Sequence, residues 1–288
     1  VDSDLDGVGD NGDAFPNDAS ETADTDGDGV GNNTDAFPLD ATISNPSQIS
    51  QISQIERNAL IALYNSTGGA NWTDNTGWLG AAGTECDWSG VTCSSGFVSS
   101  IDLGNNSLSG SIPSELGNLT KLTNISLDRN TLSGSIPTQL GDLTNLTILD
   151  LYNNSLSGSI PAELGNLTKL TRLDLGNNSL SGSIPSELGN LTKLTSLLLG
   201  SNSLSGSIPA ELGNLTNLTT LFIYSNSLSG SIPAELGNLT NLTLLDLNSN
   251  SLSGPKPTWL NSFTISDSAF NVSPAVTISG GTRTIVDT

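Results

Sequence analysis

Through most of the chain, apolar and polar positions alternate in short bursts that return at one fixed interval. In Leu122-Thr123-Asn124-Ile125-Ser126-Leu127, Ile125 and Leu127 alternate with Asn124 and Ser126, the period of two that marks a short strand with one buried face. Asn106, Asn130, Asn154, Asn178, Asn202, Asn226 and Asn250 follow such bursts at a constant spacing of 24 residues, each with Leu two positions later and Gly four positions later. The unit reads L-T-x-L-x-L-x-x-N-x-L-S-G-S-I-P-x-E-L-G-N-L-T-x. Its first copy starts at Val98, and its last, from Leu242, loses the pattern at Pro255-Lys256-Pro257. A period of this length means stacked coils. The strands must then run parallel, about 4.8 Å apart, with Leu127, Leu151, Leu175 and Leu199 in one column, so that each coil covers its neighbour's apolar edge. The asparagine amide both donates and accepts, and a column of them suits turn backbone groups that no regular element pairs.

Upstream, the pattern changes. Ser53-Gln54-Ile55-Glu56 reads as a capping box, in which the Ser side chain takes one orphan amide and the Glu reaches back. A helix is expected to follow, with Ile55, Ala59, Ala62 and Leu63 as its apolar stripe and Asn65 with Gly68-Gly69 as its stop. Trp72, Trp78 and Trp88 then supply more aromatic surface than a flexible loop carries, so this segment is expected to cover the apolar end of the repeat array.

Leu132-Ser133-Gly134-Ser135-Ile136-Pro137 and its equivalents resemble the L-x-G-x-I-P signature of the plant-type extracellular leucine-rich-repeat family, found in receptor ectodomains and polygalacturonase inhibitors. The resemblance spans about residues 50 to 265. Asn71-Trp72 and Cys86-Asp87-Trp88-Ser89-Gly90-Val91-Thr92-Cys93 are similar to that family's N-terminal cap, whose paired cysteines form a disulfide. The resemblance implies an α/β repeat fold. It is a right-handed, curved leucine-rich-repeat solenoid with a parallel β-sheet on the concave, ligand-facing side and a helical N-terminal cap. The family's C-terminal cysteine pair has no counterpart here. Residues 266–288, with Val276-Thr277-Ile278 and Thr284-Ile285-Val286, are left as either a cap or the start of another domain.

Charge is concentrated at the other end. The chain of 288 residues carries 29 acidic and 8 basic side chains, a net −21, and residues 1–44 contain no Lys or Arg. Asp2, Asp4, Asp6, Gly7, Val8, Asp10 and Asp13 occupy positions one, three, five, six, seven, nine and twelve of a calcium-loop register, with Val8 offering its carbonyl. The register returns 22 residues later in Asp24, Asp26, Asp28, Gly29, Val30, Asn32 and Asp35, and each copy runs into Ala-Phe-Pro. Hard oxygen ligands at alternate positions suit Ca²⁺. Without the ion these carboxylates repel one another, so a structural, folding-linked calcium is expected. Each copy resembles a thrombospondin type 3 repeat. Ala-Phe-Pro in place of the usual cysteines resembles bacterial surface proteins, which implies a bacterial source. A solvated acidic linker is the competing reading of this aspartate segment, and Pro46 with its neighbours reads as the linker that follows it. Division follows as 1–44 calcium repeats, 45–97 cap, 98–265 seven repeats and 266–288. Val1 falls inside an aspartate motif, so the chain reads as a piece of a larger protein.

Several function classes are disfavoured by composition. Nucleic acid and anionic membranes need clustered cations, and no apolar run approaches the roughly 20 residues that span a bilayer. Cys86 and Cys93 are the only cysteines and His and Met are absent; a local disulfide is favoured over a four-thiolate zinc site, and an oxidising, extracellular or cell-surface location goes with it. With no His and no pair of carboxylates in a cleft, an enzyme is not expected.

Because the units are nearly identical, their differences mark a candidate binding wall. The outward strand positions vary: Asn124, Ile148, Arg172, Ser196, Thr220 and Leu244 in one column, and Ser126, Asp150, Asp174, Leu198, Phe222 and Asp246 in the next. A third column holds Asp128, Tyr152, Gly176, Gly200, Tyr224 and Asn248, and Arg129 lies beside it. Leu198, Phe222 and Tyr224 are expected as exposed apolar neighbours next to charge, an interface composition rather than solvent-facing drift. The expectation is a monomeric adhesion or recognition module taking a protein, peptide or glycan ligand at Asp128, Arg129, Asp150, Tyr152, Arg172, Asp174, Leu198, Phe222, Tyr224 and Asp246. Two further readings stand beside it: a spacer, or an ice-binding protein using the ranks of Thr120 and Thr123, of Ser109-Gly110-Ser111, and of their copies. Hydroxyls at strand spacing order water, while the simpler account has them bonded to local backbone. Asn118-Leu119-Thr120 and Asn166-Leu167-Thr168 match the glycosylation acceptor pattern but are read as repeat consensus.

Overall fold

A computed structural model describes residues 52–262. The calcium-register residues Asp2 to Asp35, Pro46 and the segment 266–288 lie outside them.

Helix α1 (Gln54–Ser66) opens on the expected capping box: the Ser53 hydroxyl accepts from Glu56 N–H, and the Glu56 carboxylate accepts from Ser53 N–H. Its inner face differs from the expected stripe. Ile55 is 62% exposed, whereas Glu56, Ala59, Leu60 and Leu63 are buried. The capping box sets this phase, because a Glu that reaches back to Ser53 also lies on the side that meets the first coil. There its second oxygen accepts Val98 N–H at 3.2 Å. Burial raises the Glu56 carboxyl above its ordinary value, opposed by the Val98 and Ser53 amides and the Lys121 charge. Gly68, left-handed at φ 71°, follows the helix.

The cap is an aromatic cluster. Trp72 stands edge-on to Trp78 with centroids 4.8 Å apart, Trp88 lies 5.0 Å beyond, and Tyr64 of α1 packs on the first two. Arg57 covers Trp88 and pairs with the buried Glu85. Cys86 and Cys93 form the disulfide, which ties this cluster to β1 (Val91–Ser94). β1 pairs antiparallel with β2 (Phe97–Asp102).

From β2 onward every coil repeats one circuit. Three-residue strands Asn124–Ser126, Ile148–Asp150, Arg172–Asp174, Ser196–Leu198, Thr220–Phe222 and Leu244–Asp246 extend the sheet in parallel, in register at each step. Leu127, Leu151, Leu175 and Leu199 point inward and are fully buried, as the alternation requires. The return path holds short 3₁₀ turns such as Ala162–Asn166, and α1 is the sole α-helix among the described residues. A second parallel sheet also forms from the serine-glycine segments, from Ser109–Ser111 to Ser251–Leu252. Ser and Gly have poor strand propensity, and these segments are extended because the coil on each side offers backbone partners. Between the 3₁₀ turns coils almost touch: a Cβ on Gly165 would lie 2.5 Å from the Glu187 carbonyl oxygen.

The asparagine column connects coil to coil. Asn178 Oδ1 accepts Leu156 N–H of the preceding coil at 2.9 Å, while its Nδ2 donates to the carbonyls of Leu151, Leu175 and Gly176. The same set recurs at Asn154, Asn202, Asn226 and Asn250. Immediately before each Asn the chain is left-handed, φ 49–55° at Arg129, Asn153, Asn177, Ser201, Ser225 and Ser249, which turns the backbone out of the strand. Asn178→Leu removes these partners and is expected to destabilise the array by about 1–3 kcal/mol per stranded group, read by urea denaturation. An unchanged midpoint would show that water replaces the amide.

Candidate functional site

The inner sheet presents to its outer side the residues in which one coil differs from the next. Strand alternation fixes this: Leu149, Leu173, Leu197 and Leu221 point into the core, so Ile148, Asp150, Arg172, Asp174, Ser196, Leu198, Thr220 and Phe222 share the opposite face. Two clusters lie on it.

The first is ionic. Arg172 bridges two carboxylates, with Nη2 2.6 Å from Asp174 and 3.3 Å from Asp150. Asp174, expected as an outward residue, is only 4% exposed: the guanidinium is folded over it and Gly176 N–H donates to it at 3.1 Å. Desolvation and the neighbouring Asp150 charge push its pKa up to about 6, against the Gly176 amide and Arg172, which lower it. Asp246 is likewise buried, at 2%, accepting from Asn248 N–H at 2.9 Å. Both turn back on the backbone two residues ahead, an Asx-type contact that a pattern of outward positions does not reveal. Asp128 accepts from Ser126 Oγ at 2.9 Å and lies over Gly104, while Arg129, 64% exposed, stands 3.9 Å from it.

The second cluster is aromatic. Phe222 and Tyr224 meet edge to face with centroids 6.2 Å apart, and Leu198 adjoins Phe222 in strand register. Expected as exposed, all are half-buried, and Tyr224 leans on the coil before it. The Tyr224 ring lies on Gly200 so closely that a Cβ there would be 2.5 Å from Cε1, and Tyr152 lies against Gly176. The two glycines thus have a packing role that their place in a variable column concealed. Of the sequence-chosen residues the structure joins Asp150, Arg172 and Asp174, pairs Asp128 with Arg129, and groups Leu198, Phe222 and Tyr224. Asp246 stands beside Phe222 in register, and Tyr152 accompanies the ionic group.

The hydroxyl ranks divide. Thr123, Thr147, Thr171, Thr195, Thr219 and Thr243 each donate to a carbonyl of the preceding coil at 2.7–3.0 Å, so this rank is committed to the frame. Ser135, Ser159, Ser183 and Ser207, at or just past the ends of the second sheet's strands, are exposed, one per coil. Among the described residues no group of three or more His, Cys, Asp or Glu is placed to hold a metal ion, and no helix is long and apolar enough to cross a membrane.

A buried leucine ladder, an asparagine column and a parallel sheet built one strand per coil define a leucine-rich-repeat solenoid. A family model described as a leucine-rich repeat region matches residues 97–276, and the chain belongs to that family, in its plant-type extracellular form. No curated protein matches it. Among solved structures it is similar to PEPR1 in the PEPR1–AtPEP1 crystal structure, at 34% identity and TM-score 0.67 over 72% of this chain and 29% of that one. It is similar also to the Arabidopsis receptor kinase HAESA in complex with the peptide hormone IDA and the co-receptor SERK1, at 39% identity and TM-score 0.63 over 72% and 36%. A plant ice-binding protein aligns at 31% identity and TM-score 0.63 over 72% of this chain and 69% of that one. The chain therefore spans about a third of the length of the PEPR1 and HAESA chains it matches.

Asp174 makes the wall sensitive to pH. Its folded pKa lies above the ordinary 3.8, so the folded chain holds this proton more tightly and stability falls as pH rises through about 4 to 6. Asp174→Asn removes the buried charge. Its stability relative to wild type is expected to be more favourable at about pH 7 than at about pH 3.5, by on the order of 2 kcal/mol, measured by urea denaturation at both. An equal difference at the two values would show an ordinary carboxyl.

Proposed function

We propose that this chain is a non-enzymatic, extracellular recognition module whose inner sheet binds a protein, peptide or glycan ligand. The observation that carries the reading is the Leu198–Phe222–Tyr224 cluster. Unconstrained surface positions drift toward polar residues, whereas this one gathers two aromatic rings and a leucine and seats a ring on a glycine. Large, rigid, amphipathic side chains with few rotatable bonds are what binding surfaces concentrate. The peptide-bound HAESA structure supports the same use of the fold. Residues 1–44 supply a second element: Asp2, Asp4, Asp6, Val8, Asp10 and Asp13, with Asp24, Asp26, Asp28, Val30, Asn32 and Asp35, hold structural Ca²⁺ that stiffens the segment before the cap. The test is a peptide, glycan and cell-surface binding screen with and without Ca²⁺, comparing wild type with Phe222→Ser plus Tyr224→Ser. Binding is expected to fall at least about tenfold in the variant and to persist in chelator, since calcium acts outside the wall. Equal binding by both proteins removes the wall as the site.

Ice binding is the second reading, and the second sheet favours it. Its serines repeat at strand spacing across successive coils, and the plant ice-binding protein is similar over more than two thirds of its own length. On this reading wild type arrests ice recrystallisation at micromolar concentration and Ser159→Tyr plus Ser183→Tyr does not; growth of ice crystals unaffected by wild type excludes it.

A further inference from the structure

Around the apolar platform carboxylates outnumber guanidiniums, and this balance specifies its occupant. Asp174 and Asp246 flank it in strand register, Asp174 beside Leu198 and Asp246 beside Phe222. Toward the cap, Asp150, Asp128 and Asp102 continue the same wall. Against these carboxylates stand two guanidiniums. Arg172 is spent between Asp150 and Asp174, and Arg129 leaves the wall for solvent at 64% exposure, 3.9 Å from Asp128. Asp102 is exposed and takes one long hydrogen bond from Gly104 N–H, at 3.4 Å. The excess of carboxylates disfavours an anionic partner and favours a cationic one, most where Asp102 is exposed toward the cap.

We propose that the platform docks an extended basic segment of a partner protein, with an apolar side chain on Leu198, Phe222 and Tyr224 and a Lys or Arg over Asp128 and its neighbours. This rests on the inner-wall reading above and names the ligand class for it. The platform is preorganised: Tyr224 is held flat by Gly200 and buttressed by Phe222, so little side-chain freedom remains to be lost on binding. The coil spacing also fixes a ruler. Asp128 stands three coils from Leu198 and four from Phe222 in the repeat, roughly 14–19 Å at about 4.8 Å per coil. An extended chain at about 3.3 Å per residue covers that span in about four to six residues. The basic and apolar residues of the partner are therefore separated by about three to five others.

Fluorescence anisotropy on the full chain with labelled Lys-(Ser)n-Phe peptides, with spacers of roughly one to eight serines, tests this. Affinity is expected to peak at about three to five serines, to drop about tenfold when the probe's Lys is replaced by Glu, and to weaken as salt is raised. With Phe222→Ser plus Tyr224→Ser the spacer optimum disappears. Lys and Glu probes binding alike, a flat spacer profile, or no binding by any probe overturns the proposal. Because the Lys and Glu arms use the wild-type chain, a misfolded variant cannot mimic failure. A neutral glycan or acidic peptide held by wild type and released by the double variant ends the basic-segment inference and keeps the wall as a binding surface. A ligand indifferent to both replacements removes the wall as well.

Discussion

Each coil of this protein is too short to bury its own leucines, so everything else depends on how one coil is fastened to the next. Hydrophobic cover supplies most of the free energy, and the alternation already opposes a one-residue slip, which would turn the leucines to the other face. The asparagine amide adds a directional fastening. Its oxygen takes an amide hydrogen from the coil before, and its nitrogen divides between carbonyls of that coil and its own. A slip of one residue would strand all of these groups inside a turn, where water has poor access. The threonine rank adds a second set of intercoil bonds at the opposite end of each strand. Strand register is thus held at both ends, and the variable side chains between them inherit a fixed grid.

That division explains which parts were legible in the sequence. Leu127, Leu151 and Asn178 act through contacts that repeat, and repetition makes their role visible without coordinates. The capping box at Ser53 and Glu56 was equally plain, because both partners lie within one helical turn. Ile55 was misplaced because its apolarity counted as inward, while the side chain that meets the first coil is Glu56, whose partner Val98 is far along the chain. The second sheet was missed for a related reason: Ser and Gly carry no strand signal, and their extension comes from neighbouring coils.

On the wall, columns of variable positions were correctly separated from the core, but depth within a column was not readable. Asp174 sits under Arg172 and Asp246 bonds the backbone two residues on, contacts that depend on side-chain direction. Gly176 and Gly200 looked like gaps in an otherwise polar column, and they are the seats on which Tyr152 and Tyr224 rest. The wall therefore combines a buried carboxylate under a half-exposed guanidinium, sensitive to protonation, with a rigid aromatic surface. In a fold whose frame is invariant, such local departures carry the individuality of the molecule.

The in-register stacking of coils has an evolutionary corollary. Each circuit begins and ends on the same bonds, so losing or duplicating one whole unit restores every fastening at the new junction. Recombination between near-identical units changes the length of the solenoid while leaving its cross-section intact. The distance between two features on the wall can then be altered only in whole-unit increments. A lineage can retune the span it measures without redesigning either end.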